Sequence, residues 1–194
     1  MTLSSPLIAA RRVALFSFVI VGMVTLVYHL SKDKIAENEY LELLHSLEEV
    51  LDKESYDNHL VEDVMQLQNY TIYRARKAAK PIAALIKTTT AHGYNGNIDL
   101  LVALDMTGKI TGVRVLGHRE TPGLGDKIEL KKSNWILGFN QKSLEDQELS
   151  LWAVKRDGGL FDQFTGATIT PRAIVNEVKQ TALFFQQNQS AIFQ

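Results

Sequence analysis

The chain has 194 residues, 45% hydrophobic and 22% charged, which fits one globular domain with an appendage. A formal net charge of -1 leaves no basic excess to neutralise phosphates, which excludes a general nucleic-acid binder. There is no cysteine, so disulfides, thiol nucleophiles, iron–sulfur clusters, lipoprotein anchoring and Cys-x-x-Cys-His haem attachment are excluded together.

The first predicted element is a membrane span. Val13 to Leu30 is an 18-residue run without Asp, Glu, Lys or Arg, about the minimum that crosses a bilayer as a helix. Arg11 and Arg12 precede it, Lys32 and Lys34 follow, and the positive-inside rule leans toward a cytoplasmic tail over residues 1–12 and an exported remainder. A cleaved signal peptide and a buried core helix share this layout. The residues after the run, Tyr28-His-Leu-Ser-Lys-Asp, offer no Ala-x-Ala-like site, which favours an uncleaved anchor. Residues 31–194 hold 19 of the 21 basic residues and all 22 acidic ones, a net of -3.

Residues 31–69 read as a helical spacer. Tyr40, Leu44, Leu47 and Leu51 recur at three- and four-residue spacing, glutamates fill the other face, and Ser55–Asn58 interrupts. The texture changes at Tyr70, where a domain over 70–194 begins. Thr71–Lys77, Pro81–Thr90, Ile98–Asp105 and Ile110–Leu116 are predicted strands, the last two forming a hairpin across Met106–Lys109. A glycine-rich loop follows, then a further strand at Ser150–Val154 and a break at Gly158-Gly159. The closing helix has Thr170 as its expected N-cap, Pro171 at its first position, and Ile174, Val178 and Phe185 on its apolar face. The expected class is α+β: one membrane helix, then an exported domain of antiparallel strands with flanking helices.

Two segments of that domain carry chemistry. The first is Asp162-Gln163-Phe164-Thr165-Gly166-Ala167-Thr168, just ahead of the closing helix. A helix start offers unpaired N–H groups and a positive dipole end to an anionic phosphate, and Gly166 permits backbone shapes closed to other residues. The second is Glu120-Thr121-Pro122-Gly123-Leu124-Gly125, which follows a strand. The first segment resembles the acidic-x-x-Ser/Thr-Gly-Ala-Ser/Thr signature for covalent attachment of FMN. The two together, in this order and behind one membrane helix, resemble the G subunit of the Rnf electron-transport complex along the whole chain. They also resemble the related C subunit of the sodium-translocating NADH:quinone reductase.

The resemblance implies that FMN is held by a phosphoester to Thr168. Asp162, Thr165, Gly166 and Ala167 are then the segment read by a separate flavin transferase, which uses FAD as FMN donor with Mg²⁺. Glu120, Thr121, Pro122, Gly123, Leu124 and Gly125 are then lining for the flavin ring or phosphate. The implied partners are the other subunits of a membrane electron-transport complex, the transferase and membrane lipid, and the implied location is the bacterial cytoplasmic membrane with the flavin domain outside. The implied activity is electron relay between NADH and ferredoxin, coupled to ion movement. A quinone-reductase subunit, an independent flavin reductase and a cofactor-free anchored scaffold are the other readings at this point. No His-x-x-x-His, Gly-x-Ser-x-Gly or Walker A pattern occurs, so neither a metal nor a catalytic residue is predicted. His118 is a loop histidine by the plainer reading and a flavin contact by the sharper one. Trp135 and Trp152 are predicted core or partner contacts.

Overall fold

The computed structural model describes residues 5–146 and 148–194. Its first helix, α1, runs unbroken over Ser5–Val50. An 18-residue window in it has a mean hydropathy of 2.2 and none of it is buried, so this helix is long and apolar enough to cross a membrane. It fits a single-pass anchor. Residues 1–42 and 43–194 are separate compact units, and the described part of the first is helix throughout.

The second unit is built on a five-stranded antiparallel sheet in the order β1 (Val64–Leu67), β2 (Tyr70–Lys77), β3 (Lys80–Gly93), β4 (Gly96–Asp105) and β5 (Ile110–Gly117). Each strand pairs with its sequence neighbour, so every connection is a hairpin. The class is α+β, as the sequence predicts. β4 is covered on both faces, which is why Ile98–Leu104 reads as an almost continuous apolar run. Ile98, Leu100, Val102 and Leu104 point into one core with Ile72, Ile86 and the final helix α2 (Ile169–Ile192). Leu101 and Ala103 point the other way, toward a second core with Tyr73, Ala75 and Leu85.

That second core is where the structure departs most from the sequence reading. The helix stops at Val50, a short 3₁₀ turn occupies Lys53–Ser55, and β1 already pairs with β2 inside the segment expected to be a helical spacer. Leu47, Val50, Leu51 and Leu60 are buried on the sheet. The end of α1 lies so close to β5 that a Cβ on Gly112 would sit 2.9 Å from the Val50 Cα. The terminal carbonyls of α1 are met from the same strand: the Thr111 hydroxyl donates to Val50 O at 2.9 Å and Arg114 Nη2 donates to Glu49 O at 3.0 Å. Those groups have no partner within the helix, and a guanidinium complements the negative end of its dipole.

Two smaller expectations also change. Ser150–Val154 is not a strand. Leu149–Leu151 is a 3₁₀ turn, and Val154 keeps only an isolated bridge to Phe161. Trp152 is buried against Phe161, so core packing rather than a ladder fixes this stretch. The last helix begins at Ile169, with Thr168 as N-cap in place of Thr170.

Candidate functional site

The start of α2 is an unusual helix N-terminus. An N-cap threonine normally has extended backbone, and its hydroxyl accepts from the N–H of the second or third helical residue. Thr168 has φ -89° and ψ -19°, already helical, and makes no side-chain capping bond among the described residues. The third helical residue is Pro171, which has no N–H to give. The Thr170 hydroxyl, expected to cap, turns sideways and donates to Glu120. Thr168 is thereby left half-buried at the positive end of a 24-residue helix, its hydroxyl uncommitted among the described residues.

One turn further, Arg172 reaches back. Its Nη1 donates to Thr168 O at 3.2 Å, while its fork holds the Asp157 carboxylate, with Nη2 to Oδ1 at 2.9 Å. The hydrogen bonds from Arg172, ahead of its charge, hold the Asp157 carboxyl below the ordinary aspartate range. A depressed folded-state pKa stabilises only above the unfolded value, and the gain is lost as pH falls through the folded one. The melting difference between wild type and Asp157→Asn is therefore expected to be small at neutral pH, because the pair is exposed. It should shrink to nothing as pH drops well below about 3.9. A difference that persists unchanged in acid would remove the ion pair as its source.

The segment before Thr168 is a tight turn on a buried plug. Ala167 N–H donates to Phe164 O at 3.2 Å, and Gly166 has φ +83°, the third-position geometry that favours glycine. Phe164 is buried with the Trp135 ring edge-on at 5.1 Å, and Trp135 Nε1 donates to Asp162 O at 2.7 Å. Thr165 and Gly166 are exposed. Asp162 is exposed too, and its carboxylate pairs with Lys155 at 2.6 Å.

The second motif meets the first. Thr121–Leu124 is a turn closed by Leu124 N–H to Thr121 O at 3.1 Å, with Pro122 at its second position and Gly123 at φ +77° in its third. A Cβ on Gly166 would lie 3.3 Å from Leu124 Cδ2, so the two loops are in contact. Pro122, Gly123 and Leu124 are exposed, Thr121 is half-buried, and Gly125 is buried. Glu120 faces inward, only 5% exposed. His118 is half-buried: its Nδ1 accepts the Glu120 N–H at 3.0 Å, which leaves Nε2 to donate to Glu129 Oε1 at 2.9 Å. Its ring is spent within the loop.

The sequence reading missed Asn95, Trp135, Lys155 and Arg172 as members of this site. Arg172 alone had a legible signal, its four-residue offset from Thr168 on one helix face. The residues brought together fit a phosphate-bearing flavin. They supply an uncommitted hydroxyl, a helix start, a guanidinium one turn in, and exposed apolar Leu124 and Ile169 beside it.

Comparison with known proteins gives the family of the chain. Residues 93–182 match the FMN-binding domain family and residues 1–50 match the RnfG N-terminal region. The chain is 46% identical over 189 residues to the G subunit of the ion-translocating oxidoreductase complex of Pseudoalteromonas atlantica, covering 93% of this chain and 88% of that one. The corresponding protein of Haemophilus influenzae is 47% identical over 174 residues (87% and 84% covered), and that of Photorhabdus laumondii 45% over 181 (89% and 87%). These matches do not favour the quinone-reductase alternative. The chain belongs to the family of G subunits of ion-translocating oxidoreductase complexes.

Proposed function

We infer that Thr168 carries FMN through a phosphoester and that the domain relays electrons within an Rnf-type ion-translocating oxidoreductase complex. The observation that carries this reading is the Thr168 hydroxyl, left without a capping partner at the start of α2. When bound, the flavin supplies the one- and two-electron chemistry, and the protein supplies position and surroundings. Thr168 provides the oxygen that takes the FMN phosphorus from an FAD donor. AMP departs and the hydroxyl proton is lost to solvent or to the transferase. Arg172, which bonds the Thr168 backbone carbonyl, and the first N–H groups of α2 are cationic and dipolar groups on the same helix start, suited to a phosphodiester anion. Asp162, Thr165, Gly166 and Ala167 present the segment to the transferase, while Phe164 anchors it. Thr121, Gly123 and Leu124 give the ring a place to lie.

In the cell this places a short tail in the cytoplasm, α1 across the cytoplasmic membrane in contact with lipid, and the flavin domain outside, beside the other subunits of the complex. Arg11 and Arg12 before the apolar run support that orientation. The test is in-gel flavin fluorescence of the denatured chain, made and exported alongside a flavin transferase. A fluorescent band is expected, and a dark one overturns the covalent reading.

Pro171 gives a second check. Pro171→Ala restores an N–H at the third helical position, so Thr168 gains the option of capping its own helix. Flavin transfer from FAD is expected to slow several-fold. Transfer at the wild-type rate would remove self-capping as a reason for the proline.

A further inference from the structure

The Glu120 carboxylate is buried, and both its oxygens are used. Oε1 accepts the Asn95 N–H at 3.0 Å, and Oε2 accepts the Thr170 hydroxyl. Those donors come from the β3–β4 turn and from the first turn of α2, so one side chain ties three segments that are distant in sequence. The space is cut to this group by two glycines. A Cβ on Gly93 would come 2.8 Å from Oε1. One on Gly125 would come 2.9 Å from Oε2 and 3.2 Å from the Thr170 Oγ1. Asn95 also reaches the loop through Nδ2, which donates to Thr121 Oγ1 at 3.3 Å. No lysine or arginine pairs with Glu120 among the described residues. A buried carboxylate costs free energy unless it is hydrogen-bonded, and here the bonds end at the residue two positions past Thr168.

From this geometry we propose that Glu120 is a positioning residue for the flavin acceptor. Through Thr170 it fixes the first turn of α2, holds the Gly166 turn against Leu124, and thereby sets where the Thr168 hydroxyl stands. Two consequences follow from the contacts. The Thr170 hydroxyl, held by Glu120, is withdrawn from the acceptor and from capping. Glu120 itself, expected from the sequence to line the flavin, works through other residues and need not touch it. The inference rests on Thr168 as acceptor.

The test uses the full-length chain in detergent, made without transferase and then mixed with transferase, FAD and Mg²⁺. Glu120→Ala and Thr170→Val are each expected to slow flavin attachment about tenfold or more. Thr170→Ser keeps the donating hydroxyl and should recover most of the rate. Glu120→Gln keeps one accepting oxygen for the Asn95 N–H and turns its NH2 toward the Thr170 hydroxyl, which can rotate to accept, so it should recover part of the rate. In the flavin-free chain, hydrogen exchange should rise over residues 165–170 in Glu120→Ala while β3 and β4 stay as protected as in wild type. A structural loss spread through the domain would not produce that local pattern or that rescue.

Attachment to Glu120→Ala at the wild-type rate overturns the proposal. So does a Thr170→Ser variant as slow as Thr170→Val, which would remove the hydroxyl's bond to Glu120 as the cause. Should Glu120→Ala fail to fold, the Thr170 pair decides on the same criteria. A wild-type chain that takes no flavin overturns the Thr168 reading instead, and the exchange pattern alone then decides whether Glu120 holds the turn.

Discussion

Thr168→Ala is expected to leave the denatured chain without flavin fluorescence and at its unmodified mass, while Thr168→Ser keeps both the label and the added mass. The alanine variant should fold as well as wild type. Replacing an N-cap threonine usually costs about 0.5–2 kcal/mol because a capping hydrogen bond is lost. Thr168 makes no such bond, so the cost should be within about 0.5 kcal/mol. Near-complete loss of the label with nearly unchanged stability is a combination that a purely structural helix cap does not give. A helix cap would show the reverse: a lower melting temperature and no label in either protein. Covalent flavin retained by Thr168→Ala would move the acceptor to another hydroxyl, and Thr165, exposed in the same turn, would be the next to replace.

The contrast between Thr168 and Thr170 shows where sequence reasoning reaches its limit. Both are threonines close to a proline at a helix start, and capping preference favours Thr170, one residue before Pro171. The helix instead starts two residues earlier, because Thr170 has a stronger partner in the buried Glu120 carboxylate, fifty residues away. Proline at the third helical position remains acceptable, since that N–H has no partner within the helix anyway. Local propensity could not register a contact made across the fold. The strands fared better: alternation and continuous apolar runs marked β2 to β5, because a sheet covered on both faces writes its burial directly into the chain. Val64–Leu67 stayed hidden, being a four-residue edge strand whose side chains are only partly covered. The motif residues were legible as types in a pattern. Their division into exposed Leu124 and Thr165 on one side and inward Glu120 on the other was not, because that division depends on where the β3–β4 turn lies.

A chain cut to residues 31–194 should melt cooperatively, and one cut to residues 63–194 should not. The shorter piece keeps all five strands, α2 and both motifs, so a reading that places the whole domain after residue 69 expects it to fold. The structure gives it an uncovered sheet. Tyr73, Ala75, Leu85, Leu101 and Ala103 owe their burial to Leu47, Val50, Leu51 and Leu60, all lost in the cut. Arg114 and Thr111 lose the helix end they satisfy. An open apolar sheet face of this kind drives association, so the 63–194 piece is expected in aggregates. A point substitution separates this packing from chain length. Leu47 is fully buried, and Leu47→Ala in the 31–194 piece should cost about 2–5 kcal/mol. At this size that lowers the melting temperature by roughly 5–15 °C. Thermal unfolding followed by circular dichroism reads both effects. If the 63–194 piece unfolds cooperatively at the same temperature as the longer one, the end of α1 covers the sheet without stabilising it. The flavin domain would then be complete from β1 onward.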